Sequence, residues 1–325
     1  MERLLNIKVI AFLNLVRAEN LVMIVATQYL LRYFVLRRVF QLYELDLELS
    51  NGLFAILVFS TVVIAAAGYI INDYFDVKTD LINHPDTVVV DKVIKRHWAI
   101  ILHLWLTAIG LTAGMYAALK TGYLRLAIFH FVAAILLWFY STHMKKQLLI
   151  GNIVVSLLTS AVAFMPFVFE LGVQQQVHPG FIFENKFAVF SAFKITLVFG
   201  IFAFVSSMAR EIIKDIEDYR GDKETGGLTM PIVWGIRSSK LTAFFLLIII
   251  AMLLLFTVYN TLKAERVLFS INIWYILLAL VVPLIVLGLY TLRANESLQF
   301  KRASLLLKGI MLLGLCYSFI FYFHG

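Results

Sequence analysis

Apolar residues in this chain fall into runs of about 20, the length that crosses the hydrocarbon of a bilayer as a helix. Nine such runs are legible: Leu21–Leu36, Leu53–Ile71, Trp98–Leu119, Tyr123–Tyr140, Gly151–Phe169, Ala188–Met208, Leu241–Thr261, Ile273–Leu292 and Ala303–Phe323. Ahead of the first lies Leu4–Val16, shorter and partly amphipathic, ended by the polar run Arg17-Ala18-Glu19-Asn20. That pattern predicts an interfacial helix. Arg17 interrupts the apolar run and no small-x-small cleavage site follows, so a cleaved signal peptide is not expected. The pattern predicts an all-α, polytopic membrane protein with nine transmembrane helices.

Composition agrees. Apolar residues make up 62% of the 325 positions and charged residues 15%, with a mean hydropathy of +0.89, too little polar surface for a soluble fold. The single cysteine, Cys316, excludes an internal disulfide, a Cys-ligated zinc and an iron–sulfur cluster. A net charge of +8 raises the question of nucleic acid, but no basic stripe or binding motif accompanies it. In a membrane protein Lys and Arg collect on the cytoplasmic side. The N-terminus and the loops after spans two, four, six and eight carry most of the 28 Lys and Arg. This predicts a cytoplasmic-membrane protein with its N-terminus inside and its C-terminus outside. Arg32, Arg37 and Arg38, on the opposite side, read as lipid-facing anchors.

The two longest polar stretches follow spans two and six and therefore share a side. Asp73, Asp76 and Asp80 lie in the first; Asp215, Asp218 and Asp222 lie in the second. Both sets are spaced i, i+3, i+7, which places each on one helix face if the helix outlasts the apolar run. Glu217, about 200° round from Asp215, faces elsewhere on that reading. Six carboxylates near a low-dielectric boundary repel one another unless a cation neutralises them. Hard oxygen donors select Mg²⁺, which takes one or two carboxylates and completes its shell with water and substrate phosphate. Both sets also sit at C-terminal helix ends, where the dipole favours cations. The inference is a Mg²⁺–diphosphate site between two helices. The four-span shift suggests divergent halves, about 1–146 and 147–300 plus a last helix, within one domain spanning 1–325.

A diphosphate needs cationic partners besides Mg²⁺. Tyr140 and Lys145, after span four, are on the motif side, and Lys78, Lys92, Arg96, Arg210, Lys214 and Arg220 compete for the role. The seven histidines show no ligand spacing, and His97 and His103 read as interfacial. An ion-coupled transporter, the alternative of a different class, should carry its acids near the midplane on broken helices. Here the apolar runs hold almost none.

These residues resemble the UbiA-type intramembrane prenyltransferases over nearly the whole chain. Asn72, Asp73, Asp76 and Asp80 match that family's N-D-x-x-D-x-x-x-D, and Asp215, Asp218 and Asp222 its D-x-x-D-x-x-x-D. Tyr140-Ser141 with Lys145, followed by Gly151-Asn152, resembles its Y-S-x-x-x-K and G-N signature; Arg17 with Asn20 resembles its entry to the first span. The resemblance implies nine helices around a central cavity, capped on the cytoplasmic side by helices in the acidic loops. It implies Mg²⁺-dependent transfer of a polyprenyl group from its diphosphate to an acceptor. Asp73, Asp76, Asp215 and Asp218 would be catalytic, and all six aspartates would hold metal. Asn72, Tyr140, Lys145, Arg17 and Asn20 would bind substrate. The wording around both motifs is most similar to the digeranylgeranylglyceryl phosphate synthase branch, which prenylates a lipid hydroxyl; the alternative acceptor is an aromatic quinone precursor, hydroxybenzoate or dihydroxynaphthoate. One departure is Thr87, in Asn83-His84-Pro85-Asp86-Thr87, where the family usually has arginine. Its phosphate contact is then missing or moved to Lys92 or Lys95.

Overall fold

The structure, a computed structural model, describes residues 2–265 and 270–324. Among the described residues the fold is helical, with strand pairing limited to one bridge between Val90 and Ile94. Ten long helices carry it: α1 (Glu2–Leu15), α2 (Ala18–Gln41), α3 (Asn51–Asn83), α4 (Arg96–Lys120), α5 (Leu124–Thr142), α6 (Ile150–Val177), α7 (Lys186–Glu217), α8 (Gly235–Glu265), α9 (Ile271–Arg293) and α10 (Ser297–His324). Eight of them, α3 to α10, are long and apolar enough to cross a membrane, and α2 with the end of α1 makes a ninth, bent by 58°. Each expected span coincides with one helix, Tyr123–Tyr140 starting one residue ahead of α5. The chain is a multi-pass membrane protein.

The helices overrun the apolar runs, and that overrun builds the site. Ser50 starts α3 by accepting a hydrogen bond from the Leu53 backbone N–H, and Pro85 stops it, because a residue before proline is pushed out of the helical region. Between them run 33 residues, roughly 50 Å at 1.5 Å per residue, against a hydrocarbon core of about 30 Å. The last turns therefore leave the membrane still helical and carry Asp73, Asp76 and Asp80 on one rod.

In lipid, helices associate by close packing rather than by escape from water. Small residues supply the close approach here. A Cβ on Gly110 of α4 would lie 2.6 Å from Ile64 Cγ1 of α3, and one on Gly288 of α9 would lie 2.9 Å from Phe244 of α8. The C-terminal helices α8 to α10 share one apolar cluster with the end of α7, including Ile212, Ile213, Leu247, Leu284 and Leu307. A second cluster, around Phe54, Leu57, Ala117 and Phe169, closes the bundle at the end away from the acidic motifs.

Two expectations fail at that closed end and along α4. Arg32 is not lipid-facing: it is 3% exposed, sits in a π-turn of α2, donates to the Leu49 carbonyl and lies 4.3 Å over the Phe54 ring. Its negative counterpart is Glu170, itself buried and accepting from the Glu48 backbone N–H at 2.6 Å and from Gln174 Nε2 at 3.0 Å. The buried guanidinium is held by the Leu49 carbonyl, by Asn51 Oδ1 at 3.4 Å and by the ring face, with the charge of Glu170 opposing its own. Nor is His103 interfacial. It is buried, with Nδ1 2.9 Å from the Ala67 carbonyl.

Candidate active site

A cavity of about 630 Å³ runs into the bundle between α2, α3, α5, α6, α7 and α10. Its mouth is lined by Arg17, Asn20, Asn72, Tyr140, Lys145, Asp215, Asp218 and Asp222, its interior mostly by apolar side chains. The structure thus brings the residues predicted for the substrate and the second acidic motif to one opening, and the first motif meets it through Arg17 on Asp73 and Lys145 on Asp76.

The two motifs are held differently. On α3, Asp73 and Asp76 stand behind cations that themselves line the cavity. Arg17 Nη2 lies 3.0 Å from Asp73 Oδ1, and Lys145 Nζ pairs with Asp76 Oδ2. Arg17 reaches this place from the break between α1 and α2, where its backbone is left-handed (φ 49°), a conformation that costs a non-glycine residue energy and concentrates at functional positions. Its guanidinium also rests 5.1 Å from the Tyr69 ring centre.

Lys145 is placed by the turn after α5. The Leu228 N–H donates to the Lys146 carbonyl at 2.8 Å, tying that turn to the loop beyond the second motif. Gly151 lets the start of α6 press against it, since a Cβ there would lie 2.9 Å from both Lys145 Cα and the Met144 carbonyl. Burial alone would lower the Lys145 ammonium; Asp76, with Tyr140 and Asp80, outweighs that and holds it well above its ordinary value. It stays charged between the motifs.

The second motif does not lie on one continuous helix, as its spacing had suggested. α7 ends at Glu217, Asp218 sits at the break, and a short helix, Tyr219–Glu224, carries Asp222. Asn152 of α6 donates from Nδ2 to Asp215 Oδ2 at 2.8 Å, so the glycine of Gly151-Asn152 seats the lysine turn and the asparagine orients the aspartate. His84 Nε2 lies 2.7 Å from Asp218 Oδ1 and 3.8 Å from Glu217 Oε1. Glu217, expected to face elsewhere than Asp215, lies beside His84 and does not line the cavity. The hydrogen bond to Asp218 raises His84 above its ordinary value, against partial burial. Burial pushes the Asp218 carboxyl up, but His84, Lys214 and Lys145 outweigh it and leave it below the usual range. Burial pushes Asp222 up to about 6, with Lys145 opposing.

Nothing in the sequence pattern gives Asn83 and His84 a site role, yet they join the two motifs. Asn83 Nδ2 donates to the Asp218 carbonyl at 3.0 Å, and the Gly221 N–H donates to Asn83 Oδ1 at 2.8 Å. Thr79 Oγ1 lies 3.1 Å from Thr225 Oγ1. The unusual Thr87 is exposed and bonds only within its own turn, to the His84 carbonyl. Lys92, offered as a displaced phosphate contact, donates instead to the Pro85 carbonyl at 2.6 Å. The further cations at the mouth are Arg210, Lys214 and Lys308.

The donor set suits a hard divalent cation. It is dominated by carboxylate oxygen; among the described residues the group of possible ligand atoms within 4.8 Å of one another comes from His84, Glu217 and Asp218, of which only Asp218 belongs to the expected six.

Among solved structures, one from work on the biosynthesis of digeranylgeranylglyceryl phosphate synthase in membranes superimposes with a TM-score of 0.63 at 23% identity, over 97% of this chain and 98% of the other. A UbiA homolog from Archaeoglobus fulgidus bound to DMAPP and Mg²⁺ gives a TM-score of 0.55 at 16% identity, over 95% and 98%. Both establish the fold. A digeranylgeranylglyceryl phosphate synthase from Methanothermobacter thermautotrophicus is 35% identical over 198 residues, 60% of this chain, and the match spans 62% of that relative's own length. Residues 42–303 match the UbiA prenyltransferase family. With that match over most of its length, and with the second acidic motif at the mouth of an intramembrane cavity whose Arg17 and Lys145 pair with the first, this chain belongs to the UbiA prenyltransferase family.

Proposed function

We propose that the chain transfers a polyprenyl group from an allylic polyprenyl diphosphate to a lipid acceptor, with the hydroxyl of geranylgeranylglyceryl phosphate as the acceptor. One observation carries this reading: Lys145 stands between two carboxylate clusters at the mouth of a deep, largely apolar cavity. A prenyl diphosphate has that same division, a polyanionic head on an apolar chain. The head belongs at the mouth and the chain in the cavity.

Asp73, Asp76 and Asp80 would hold one Mg²⁺, and Asp215, Asp218 and Asp222 another. Bound there, Mg²⁺ supplies Lewis-acid stabilisation of the charge on the departing diphosphate. Lys145 and Arg17 bring positive charge to the same oxygens, with Tyr140, Asn72 and Asn20 as polar contacts along the rim. Because these groups are preorganised, they need no reorientation as charge develops. The bond between the allylic carbon and the diphosphate oxygen breaks, and its electron pair leaves with the diphosphate. The acceptor oxygen then bonds to that carbon and releases its proton. Apolar cavity walls keep water from capturing the allylic cation first.

The lipid acceptor is supported by the name of the Methanothermobacter relative and by motif wording. The concentration of Lys and Arg at the mouth end supports placing that end, with the N-terminus, on the inner face of the cytoplasmic membrane. The repeated motif spacing supports residues 1–146 and 147–300 as divergent halves of one domain. The test is a product assay with purified protein, Mg²⁺ and geranylgeranyl diphosphate. Geranylgeranylglyceryl phosphate, hydroxybenzoate and dihydroxynaphthoate are supplied separately, and products are read by mass. The ether of the first is expected; an aromatic product would replace the acceptor and leave prenyl transfer standing.

A further inference from the structure

Among the described residues five lysines and arginines line the cavity: Arg17, Lys145, Arg210, Lys214 and Lys308. Arg17 and Lys145 pair with the first acidic motif, and Lys214 adjoins Asp215 in the chain. Arg210 and Lys308 pair with carboxylates outside both motifs, Glu211 at 3.1 Å and Glu19 at 2.8 Å. These partners leave them underused. Lys308 Nζ is shut off from solvent and lacks hydrogen-bond geometry to any acceptor, while Glu19 itself is 75% exposed. Arg210 Nε is likewise shut off and unbonded. An ammonium offers three donors and a guanidinium five, and a stranded donor costs free energy. Lys308 also lies five residues inside the apolar run Ala303–Phe323, where a charge marks a functional position by default.

Helix packing sets the two cations at one level. α7 and α10 are the sixth and ninth spans and run in opposite directions. They meet where a Cβ on Gly314 of α10 would lie 2.4 Å from Phe202 Cε1 of α7. Toward the mouth from that contact, Arg210 is eight residues along α7 and Lys308 six along α10, roughly 12 and 9 Å at 1.5 Å per residue. Asp215 is five residues beyond Arg210, about 7.5 Å nearer the mouth. The pair thus sits inside the second motif. Farther in, the same wall turns apolar with Phe202, Met311 and Leu315.

We propose that Lys308 and Arg210 form a second anion site, which takes the phosphomonoester of the prenyl acceptor and selects acceptors that carry one. The inference rests on the reading that the acceptor is a glycerol phosphate lipid. Such a lipid is a charged head on an apolar chain, and the wall between α7 and α10 offers that division a second time, beside the one that suits the donor. In a glycerol backbone the free hydroxyl stands within two carbons of the phosphate. Holding the phosphate just inside the diphosphate site therefore brings that hydroxyl to the donor's reacting carbon. Two polyanions so close repel each other, and cations not committed to the metal motifs let both bind at once. A site built to bond a charged group rejects an analogue that lacks it.

The test is steady-state kinetics of the intact protein with geranylgeranyl diphosphate and two acceptors, geranylgeranylglyceryl phosphate and geranylgeranylglycerol. The wild type should prefer the phosphate at least about 10²-fold in kcat/KM. Lys308→Met and Arg210→Gln should each raise the KM of the phosphorylated acceptor about ten-fold or more, leave the donor's KM near wild type, and lower the preference for the phosphate by the same factor. Glu19→Gln separates this role from a structural ion pair. It releases Lys308 and should leave the acceptor's KM at or below wild type; a KM raised as far as in Lys308→Met would overturn the inference. The double variant of Glu19→Gln with Lys308→Met strands no charge, guards against misfolding of the single one, and should keep the raised acceptor KM. Folded Lys308 variants with an unchanged acceptor KM and an intact preference for the phosphate would overturn the inference while prenyl transfer stands. A wild type that prenylates hydroxybenzoate or dihydroxynaphthoate and neither glycerol lipid would overturn the acceptor reading, and the inference with it.

Discussion

The two acidic motifs share one spacing and are built in different ways. The first rides an unbroken helix, and its aspartates meet cations: Arg17 on Asp73 and Lys145 on Asp76. The second straddles the end of α7, and its aspartates meet polar groups that hold position: Asn152 on Asp215 and His84 on Asp218. A continuous rod sets three carboxylates rigidly, whereas a break lets Asp222 turn with a separate short helix. The difference assigns labour. The first motif brings positive charge of its own to the mouth, and the second offers carboxylates placed by neighbours from α6 and from the loop after α3.

The largest effects should come from removing one carboxylate on either side. Asp76→Asn and Asp218→Asn should each lower turnover at least about 10³-fold, the loss of roughly 4 kcal/mol of charge stabilisation, measured with labelled donor at saturating Mg²⁺. Either variant retaining more than about a tenth of the rate, a loss of only about 1.4 kcal/mol, would detach its motif from the reacting diphosphate. The pair should separate on stability. Asp76→Asn also strips Lys145 of its ion partner, so its thermal midpoint should fall below that of Asp218→Asn. Chelating Mg²⁺ should stop turnover in the wild type, and restoring the metal should recover it.

Next comes the support of the second motif. Asn152→Ala leaves Asp215 without its 2.8 Å donor and should cost about ten-fold in turnover, in line with 1–1.5 kcal/mol for one hydrogen bond. No equivalent loss should follow on the α3 side, where ion pairs do the positioning. Asn83→Ala tests the tie between the motifs. It removes two hydrogen bonds and should lower stability by about 2 kcal/mol, seen in thermal unfolding, with a smaller effect on turnover than Asn152→Ala.

The sequence carried the spans and the aspartates because both are periodic: apolar runs have a length, and i, i+3, i+7 has a face. What it hid depended on contacts between distant segments. Arg32 reads as an anchor until the Leu49 carbonyl and Asn51, which no pattern links to it, close around it. His84 shows no ligand spacing because its partners are more than 130 positions away. The break at Asp218 has no proline to announce it; Gly221, three residues on, leaves room for Asn83, and the contacts of Asn83 and His84 with Asp218, Glu217 and Gly221 accompany the break. Gly151-Asn152 was legible as a signature, but its two roles emerge only when the lysine turn and α7 are both in place.

Thr87 gives the smallest and most pointed test. Arginine is usual in the family where this chain has threonine, and a mandatory phosphate contact at that place would make its absence costly. In the structure Thr87 is exposed and spends its hydroxyl on the His84 carbonyl, and Lys92, from the following turn, donates to the Pro85 carbonyl. Meanwhile the mouth already holds Arg17, Lys145, Arg210, Lys214 and Lys308. Thr87→Arg should therefore change kcat/KM by less than about two-fold, under 0.5 kcal/mol. A gain of ten-fold or more would mean that the loop after α3 reaches the diphosphate during turnover. The first motif would then hold the donor through its loop as well as through its rod, and the contrast with the second would narrow.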